Sequence, residues 1–351
     1  MSQLSRRVFL GAGTAFGVAA LTGLKNTKSS YAQGKKEINL YSSRHYNTDT
    51  RLYKDFEIET GIKVNLVEGK GKQLLERIKS EGRNSKADIF MTADAGNLWK
   101  AQEAGFFTPV SSSILTSKIP NYFRDPQNHW FGFSKRLRVI MYNKNKVSAS
   151  ELSTYEDLIN PKWKGRIAIR SSSNIYNQSL VSWLTANNGQ ATMDKWCKGI
   201  VVNMARRPQG GDTDQIKAVA AGIADIAVAN TYYLARLGSS SDSKNKAIFE
   251  RVGAFFPNQN GKGAHVNISG GGVLKNAPNK EGAIKFLEYL LTPSAQRFFA
   301  QGNNEYPVVK GIELSPVLAS LGSFKSDVFA VSKYGPGLDN AVRTMDRAGW
   351  K

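Results

Sequence analysis

"ADIAVANTYYLARLG", residues 224–238, decides the fold. "ADIAVAN" reads as a short buried strand ending at Asn230, with Tyr232 and Tyr233 directly behind it and Arg236 about one helical turn further on. Adjacency of the two tyrosines carries little weight by itself, since 13 tyrosines in 351 residues give roughly half such a pair by chance. Their position matters more, because open α/β sheets bind ligands in the crevice beyond the carboxyl ends of their strands.

Two other strand ends repeat the pattern. "INLYSS" (38–43) is followed by Arg44, His45 and Tyr46, and "GRIAIR" (165–170) by a serine turn and Tyr176, which opens the next helix. Three strand ends therefore bring four phenols toward one cleft, which is hard to explain as packing. The rest of the chain supplies the scaffold. From residue 36, β-rich runs alternate with helical periods: "KVNLVEG" (63–69) precedes "KQLLERIKSEG" (72–82), and "ADIFMTAD" (87–94) precedes "NLWKAQEAGFF" (97–107). That rhythm predicts βαβ units and mixed, mostly parallel sheets. "RVIMYNK" (138–144) opens a second α/β region containing the helices "NIYNQSLVSWLTANNG" (174–189) and "TDQIKAVAAG" (213–222). "GSSSDSKNK" (238–246) reads as a polar surface loop, and the chain is expected to cross between two lobes near 135–143 and 265–275.

The first 33 residues read as an export leader. Ser5-Arg6-Arg7-Val8-Phe9-Leu10 is similar to the twin-arginine motif, an apolar stretch too short for a membrane span follows, and Ser30-Tyr31-Ala32 suits a signal peptidase. Removing it, with Arg6, Arg7, Lys25 and Lys28, lowers the net charge from +20 to +16. The cations are scattered among acids, without a basic block or an aromatic-interleaved motif, so an anionic membrane surface is the expected attraction rather than nucleic acid. Cys197 is the single cysteine, which excludes an intramolecular disulfide and thiolate zinc and reads as a buried thiol.

Enzyme chemistry finds little footing. His45, His129 and His265 form no recognisable triad or zinc motif, and "SGGGV" (269–273) lacks the Lys-Ser/Thr of a phosphate loop and reads better as a tight extended crossing. Phenolate is a hard anionic ligand suited to a small, highly charged ion such as Fe³⁺, whose charge would pull the phenol pKa down from about 10. Four phenolates on Fe³⁺ would leave one negative charge for Arg136 or Arg236 to balance. With Fe²⁺ the excess would be larger, so a ferrous form needs additional positive charge or a protonated phenol.

"YSSRHY" (41–46), "SKRLRVIMYNK" (134–144), "SSNIYNQSL" (172–180), "VANTYYLARLG" (228–238) and "NNEYPV" (303–308), in this order, resemble the ferric-iron-binding substrate-binding proteins of ABC transporters, the FutA- or FbpA-type proteins. The resemblance runs from about residue 36 to the C-terminus. It implies an α/β, two-lobed, class II periplasmic-binding-protein fold with a ligand cleft between lobes: 34–135 with about 268–315 in one, 136–267 with about 316–351 in the other. It implies that Tyr46, Tyr176, Tyr232 and Tyr233 are iron ligands, that Arg136 balances charge or holds a synergistic anion such as carbonate, and that Arg236 can do so from the other side. His45 is expected to fill a coordination site as in some members, or to stand just outside the inner shell or face solvent, while Tyr306 of the "EYPV" motif is expected to close a core. The implied protein is a periplasmic monomer that passes iron to an ABC permease and catalyses nothing. The same fold binding an oxyanion or a polyamine, or a basic nucleic-acid-binding protein, remain the alternatives.

Overall fold

The computed structural model describes residues 36–44 and 46–351, so the leader reading on residues 1–33 lies outside the described residues. The strands are β1 (Glu37–Ser42), β2 (Lys63–Glu68), β3 (Ile89–Thr92), β4 (Phe131–Asn143), β5 (Ile167–Ala168), β6 (Ile226–Asn230), β7 (Val252–Phe255), β8 (Val266–Val273) and β9 (Tyr306–Pro307).

β1 lies between β2 and β3 with parallel pairing on both sides, as βαβ connections require. The helix Asp49–Thr60 joins β1 to β2. It buries Leu52, Tyr53 and Phe56 on one face and stops at Gly61, whose left-handed backbone (φ 69°) lets its N–H reach the Glu57 carbonyl. The helix Gly71–Glu81 returns the chain to β3 and packs Leu74 and Ile78 inward.

β4 is the strand on which the molecule turns. Its first half pairs antiparallel with β8, from Phe131 opposite Gly271 to Leu137 opposite Val266. Its second half pairs antiparallel with β6, from Arg138 opposite Asn230 to Tyr142 opposite Ile226, and with β7 along the other edge. One strand thus changes partners between Leu137 and Arg138 and belongs to two sheets. β5 adds to β6 in parallel, and β9 adds beside Ser134 and Lys135. The α/β class is as the sequence implies, with one correction. Among the named strands parallel pairing is confined to β2-β1-β3 and β5-β6, and every ladder made by β4 or β8 is antiparallel, so the described sheets are not mostly parallel. The strands that cross between sheets run against the βαβ units they join, which alternation of strands and helices does not reveal.

The glycine run of β8 is a close crossing and not a phosphate loop. A Cβ on Gly270 would lie 2.4 Å from the Phe131 carbonyl oxygen and one on Gly272 only 2.2 Å from that of His129. The loop expected at 238–246 ends early, because Asp242 caps a helix Ser243–Arg251 by accepting the Lys244 N–H at 2.8 Å. A large apolar core runs from Ile38, Leu40 and Phe56 through Phe133 to Trp163 and Trp183. A smaller one gathers Leu137, Val139, Met141, Ala227, Leu234 and Tyr306 around the second half of β4. Tyr306, edge-on to Phe324 at 4.8 Å, closes that core as expected. Cys197 is buried in the large cluster, and burial pushes its thiol up to about 12, in keeping with an inert packing role.

Candidate metal centre

Each phenol reaches the centre because a helix begins, or is about to begin, where a strand ends. Thr231–Gly238 starts the residue after β6, placing Tyr232 and Tyr233 in its first turn. Ile175–Asn188 begins one residue before Tyr176, and Asn174 caps it by accepting the Tyr176 N–H at 3.1 Å. Tyr46 stands between β1 and the helix Asp49–Thr60, its carbonyl accepting the Asp49 N–H at 2.9 Å.

The rings converge. The hydroxyls of Tyr176 and Tyr232 are 3.3 Å apart, the Tyr46 and Tyr232 ring centres 5.6 Å, and those of Tyr232 and Tyr233 4.2 Å. Tyr46, Tyr176 and Tyr232 are almost wholly buried, while Tyr233 is partly exposed. Tyr176 and Tyr233 face a cleft of about 1120 Å³ that Ser43, Asp94, Arg170 and Asp212 also line. That cleft is the wet side of the cluster.

Two of the arginines singled out in the sequence are brought here. Arg136 is 1 % exposed, its guanidinium carbon 5.6 Å from the Tyr176 ring centre and Nη2 3.6 Å from Asp94 Oδ2, and none of its side-chain nitrogens makes a hydrogen bond. Asp94 is itself held by the Gly96 N–H at 2.7 Å, the Ser179 hydroxyl at 2.8 Å and Asn267 at 3.0 Å. The Arg236 guanidinium carbon lies 4.5 Å from the Tyr46 ring centre and 5.6 Å from that of Tyr232. His45 lies outside the described residues.

Burial raises the pKa of all four phenols above the ordinary value, and mutual repulsion adds to it at Tyr232 and Tyr233; the Arg136 charge opposes the rise at Tyr176 and Tyr232. Left to themselves they stay protonated at neutral pH. A bound cation reverses the balance, since it favours four adjacent anions that otherwise repel. Among the described residues no three His, Cys, Asp or Glu side chains gather as a metal site, whereas the phenols do converge.

Sequence reasoning passed over the groups behind the phenols. Arg44, Asp49 and Glu305 form a buried cluster beside Tyr46, and Arg138 and Asp212 pair at 3.1 Å behind Tyr176. Arg44 stands in "YSSRHY" and Glu305 in "NNEYPV", so both were inside the recognised motifs, but nothing in either motif says that they meet. The remaining histidines are structural: His129 Nδ1 is 2.8 Å from Asp125, and His265 is buried between Trp183 and Tyr334.

The family profile described as bacterial extracellular solute-binding protein matches residues 51–326. The chain is a bacterial extracellular solute-binding protein. Among relatives, this solute-binding protein is 55 % identical to iron uptake protein A1 of Synechocystis sp., over the full length of both chains. It is 29 % identical to the major ferric iron-binding protein of Neisseria meningitidis, over 90 % of this chain and 93 % of that one. A solved structure described as Trichodesmium IdiA (FutA) in complex with iron and citrate ligands superposes with a TM-score of 0.87 at 64 % identity, covering 90 % of this chain and all of the other. The two-lobed periplasmic-binding-protein fold is therefore that of the solute-binding protein described here. Among its described residues no helix is long and apolar enough to cross a membrane.

Proposed function

We propose that this solute-binding protein binds ferric iron through Tyr46, Tyr176, Tyr232 and Tyr233 and hands it to the permease of an ABC iron importer. The observation that carries the reading is the convergence of the four phenols, with the Tyr176 and Tyr232 hydroxyls 3.3 Å apart, beside the buried cation Arg136. Hard anionic oxygens gathered at one point suit a small trivalent cation and no organic solute. The names of the relatives at Synechocystis and Neisseria, and the iron in the Trichodesmium structure, support the same cargo.

The lobes we assign are 34–135 with about 268–315 and 136–267 with about 316–351, hinged where β4 changes partners and where the chain enters β8. Tyr46 belongs to the first, and Tyr176, Tyr232 and Tyr233 to the second, so metal bonds would lower the energy of the closed state alone. Arg136 and Arg236 balance the excess negative charge, and either can hold a carbonate or carboxylate anion beside the metal. His45, which precedes Tyr46 in the sequence, is a further candidate ligand or near neighbour of the metal. A ferrous form would draw on the same two arginines. The protein works as an exported periplasmic monomer, carried out by the twin-arginine route, and its +16 charge draws it to the anionic membrane surface where the permease sits.

The test is the visible absorption of the purified protein with ferric citrate. A phenolate-to-iron charge-transfer band that collapses when Tyr232 and Tyr233 are both changed to Phe is the expected result. A colourless wild-type protein rejects ferric-tyrosinate binding.

A further inference from the structure

Behind Tyr46 lies a set of charges that the cargo-binding account does not use. Arg44 is 2 % exposed and Glu305 wholly buried. Arg44 Nη2 donates to Glu305 Oε2 at 3.0 Å, while its Nε and Nη2 donate to the two oxygens of Asp49 at 2.7 and 3.3 Å. Glu305 also accepts from the Ser269 hydroxyl at 2.7 Å, and Asn303 Nδ2 donates to Asp49 Oδ1 at 2.8 Å. Three distant segments therefore meet: the end of β1, the Gly-rich β8 and the turn at 303–305. A π-helical turn, Phe298–Gly302, precedes that last segment and puts Phe299 under the Arg44 guanidinium, 5.2 Å from ring centre to carbon.

The cluster is aimed at Tyr46. The Arg44 guanidinium carbon sits 4.5 Å from the Tyr46 ring centre, the same distance at which Arg236, from the helix Thr231–Gly238, meets that ring. Glu305 reaches Tyr46 through Arg44, which it holds at 3.0 Å beneath the Tyr46 ring. A buried ion pair seldom stabilises a fold more than apolar residues of the same volume would, so stability is a poor account of this one. An Arg clamped by two carboxylates does, however, have a fixed fork, and a fixed fork under a ring fixes the ring.

We infer that Arg44 and Glu305 are a positioning pair for Tyr46: they hold its ring and hydroxyl where a metal can take the oxygen, without bonding the metal themselves. The inference rests on the ferric-tyrosinate reading above. Pairing also keeps the Glu305 carboxylate occupied, so that it does not displace the phenol as a ligand.

The test is the ferric charge-transfer band of purified wild-type protein, Y46F, E305Q and the double variant, each loaded with ferric citrate after circular dichroism has shown it folded. Y46F should lose roughly a quarter of the absorbance, one phenolate's share of four. E305Q should lose a comparable share or shift the maximum, and Y46F/E305Q should match Y46F, because a residue that acts only through Tyr46 has nothing left to act on. An E305Q spectrum identical to wild type overturns the inference, as does a loss in the double variant that is the sum of the two single losses. If E305Q does not fold, R44K, which keeps the charge but not the fork, takes its place with the same expected loss. Absence of any band in wild type is a different failure, which removes the ferric reading and this inference with it.

Discussion

Ferric loading should expel protons, and the number expelled counts the phenols. All four tyrosines have pKa values raised above that of a free phenol, so each carries its proton at neutral pH and, in the site proposed, gives it up on binding the metal. An arginine guanidinium keeps its charge near neutral pH and contributes no protons. Affinity therefore rises with pH and falls toward acid, by up to four decades per pH unit, or about 5.4 kcal/mol at 1.36 kcal/mol per proton. The assay is equilibrium competition against nitrilotriacetate, corrected for that chelator's own protonation and followed by the visible band between about pH 6.5 and 8. Tyr232→Phe should lower the slope from four to three while weakening binding at every pH. A wild-type slope of one or less, or equal slopes for the two proteins, refutes the reasoning.

Three further outcomes follow from the fold. Gly272→Ala should destabilise the protein by about 3 kcal/mol or more in urea unfolding, since its Cβ would meet the His129 carbonyl at 2.2 Å and the Phe107 ring at 2.8 Å. Asp94→Asn should cost about 1–3 kcal/mol by the same assay, because it strips the charge from an acceptor of three hydrogen bonds and leaves Arg136 buried without its carboxylate. His265 has a pKa lowered well below its ordinary value by burial, with the Arg138 and Arg136 charges adding to it. The unfolded chain takes up a proton below about pH 6.5 that the folded chain refuses, so stability should fall there by up to about 1.4 kcal/mol per pH unit. His265→Phe should flatten that part of the stability profile, and an unchanged profile would contradict the assignment.

The phenols were legible in the sequence because each follows a strand end closely, at once in the case of β6 and after a short turn for the strands ending at Ser42 and Ala168. Tyr176 and Tyr232 each stand at the second position of the helix that follows. The Arg44–Glu305 pair was not legible, since 261 residues separate its members and only the path of β8 and the turn after Gly302 bring them together. Antiparallel pairing of β4 and β8 was hidden for a related reason. A buried strand reads the same in either direction, and its orientation is set by the connections around it. Asp242 shows the opposite case, a legible capping residue inside a polar run whose composition pointed to loop.

The helices that present the phenols have a consequence of their own. Tyr176 sits at the second position of one helix, and Tyr232 and Tyr233 at the second and third of another. The peptide dipoles of each helix sum to about half a positive charge at that end, and helical side chains lean toward it. Two helix ends thus lend the centre partial positive charge from the backbone itself, worth about 0.3–1 kcal/mol for each anion held there. Unlike the charge of Arg136 or Arg236, that share cannot be removed by changing a side chain. Iron binding in arginine variants of this protein should therefore weaken without vanishing, with the main chain as the counter-charge that remains.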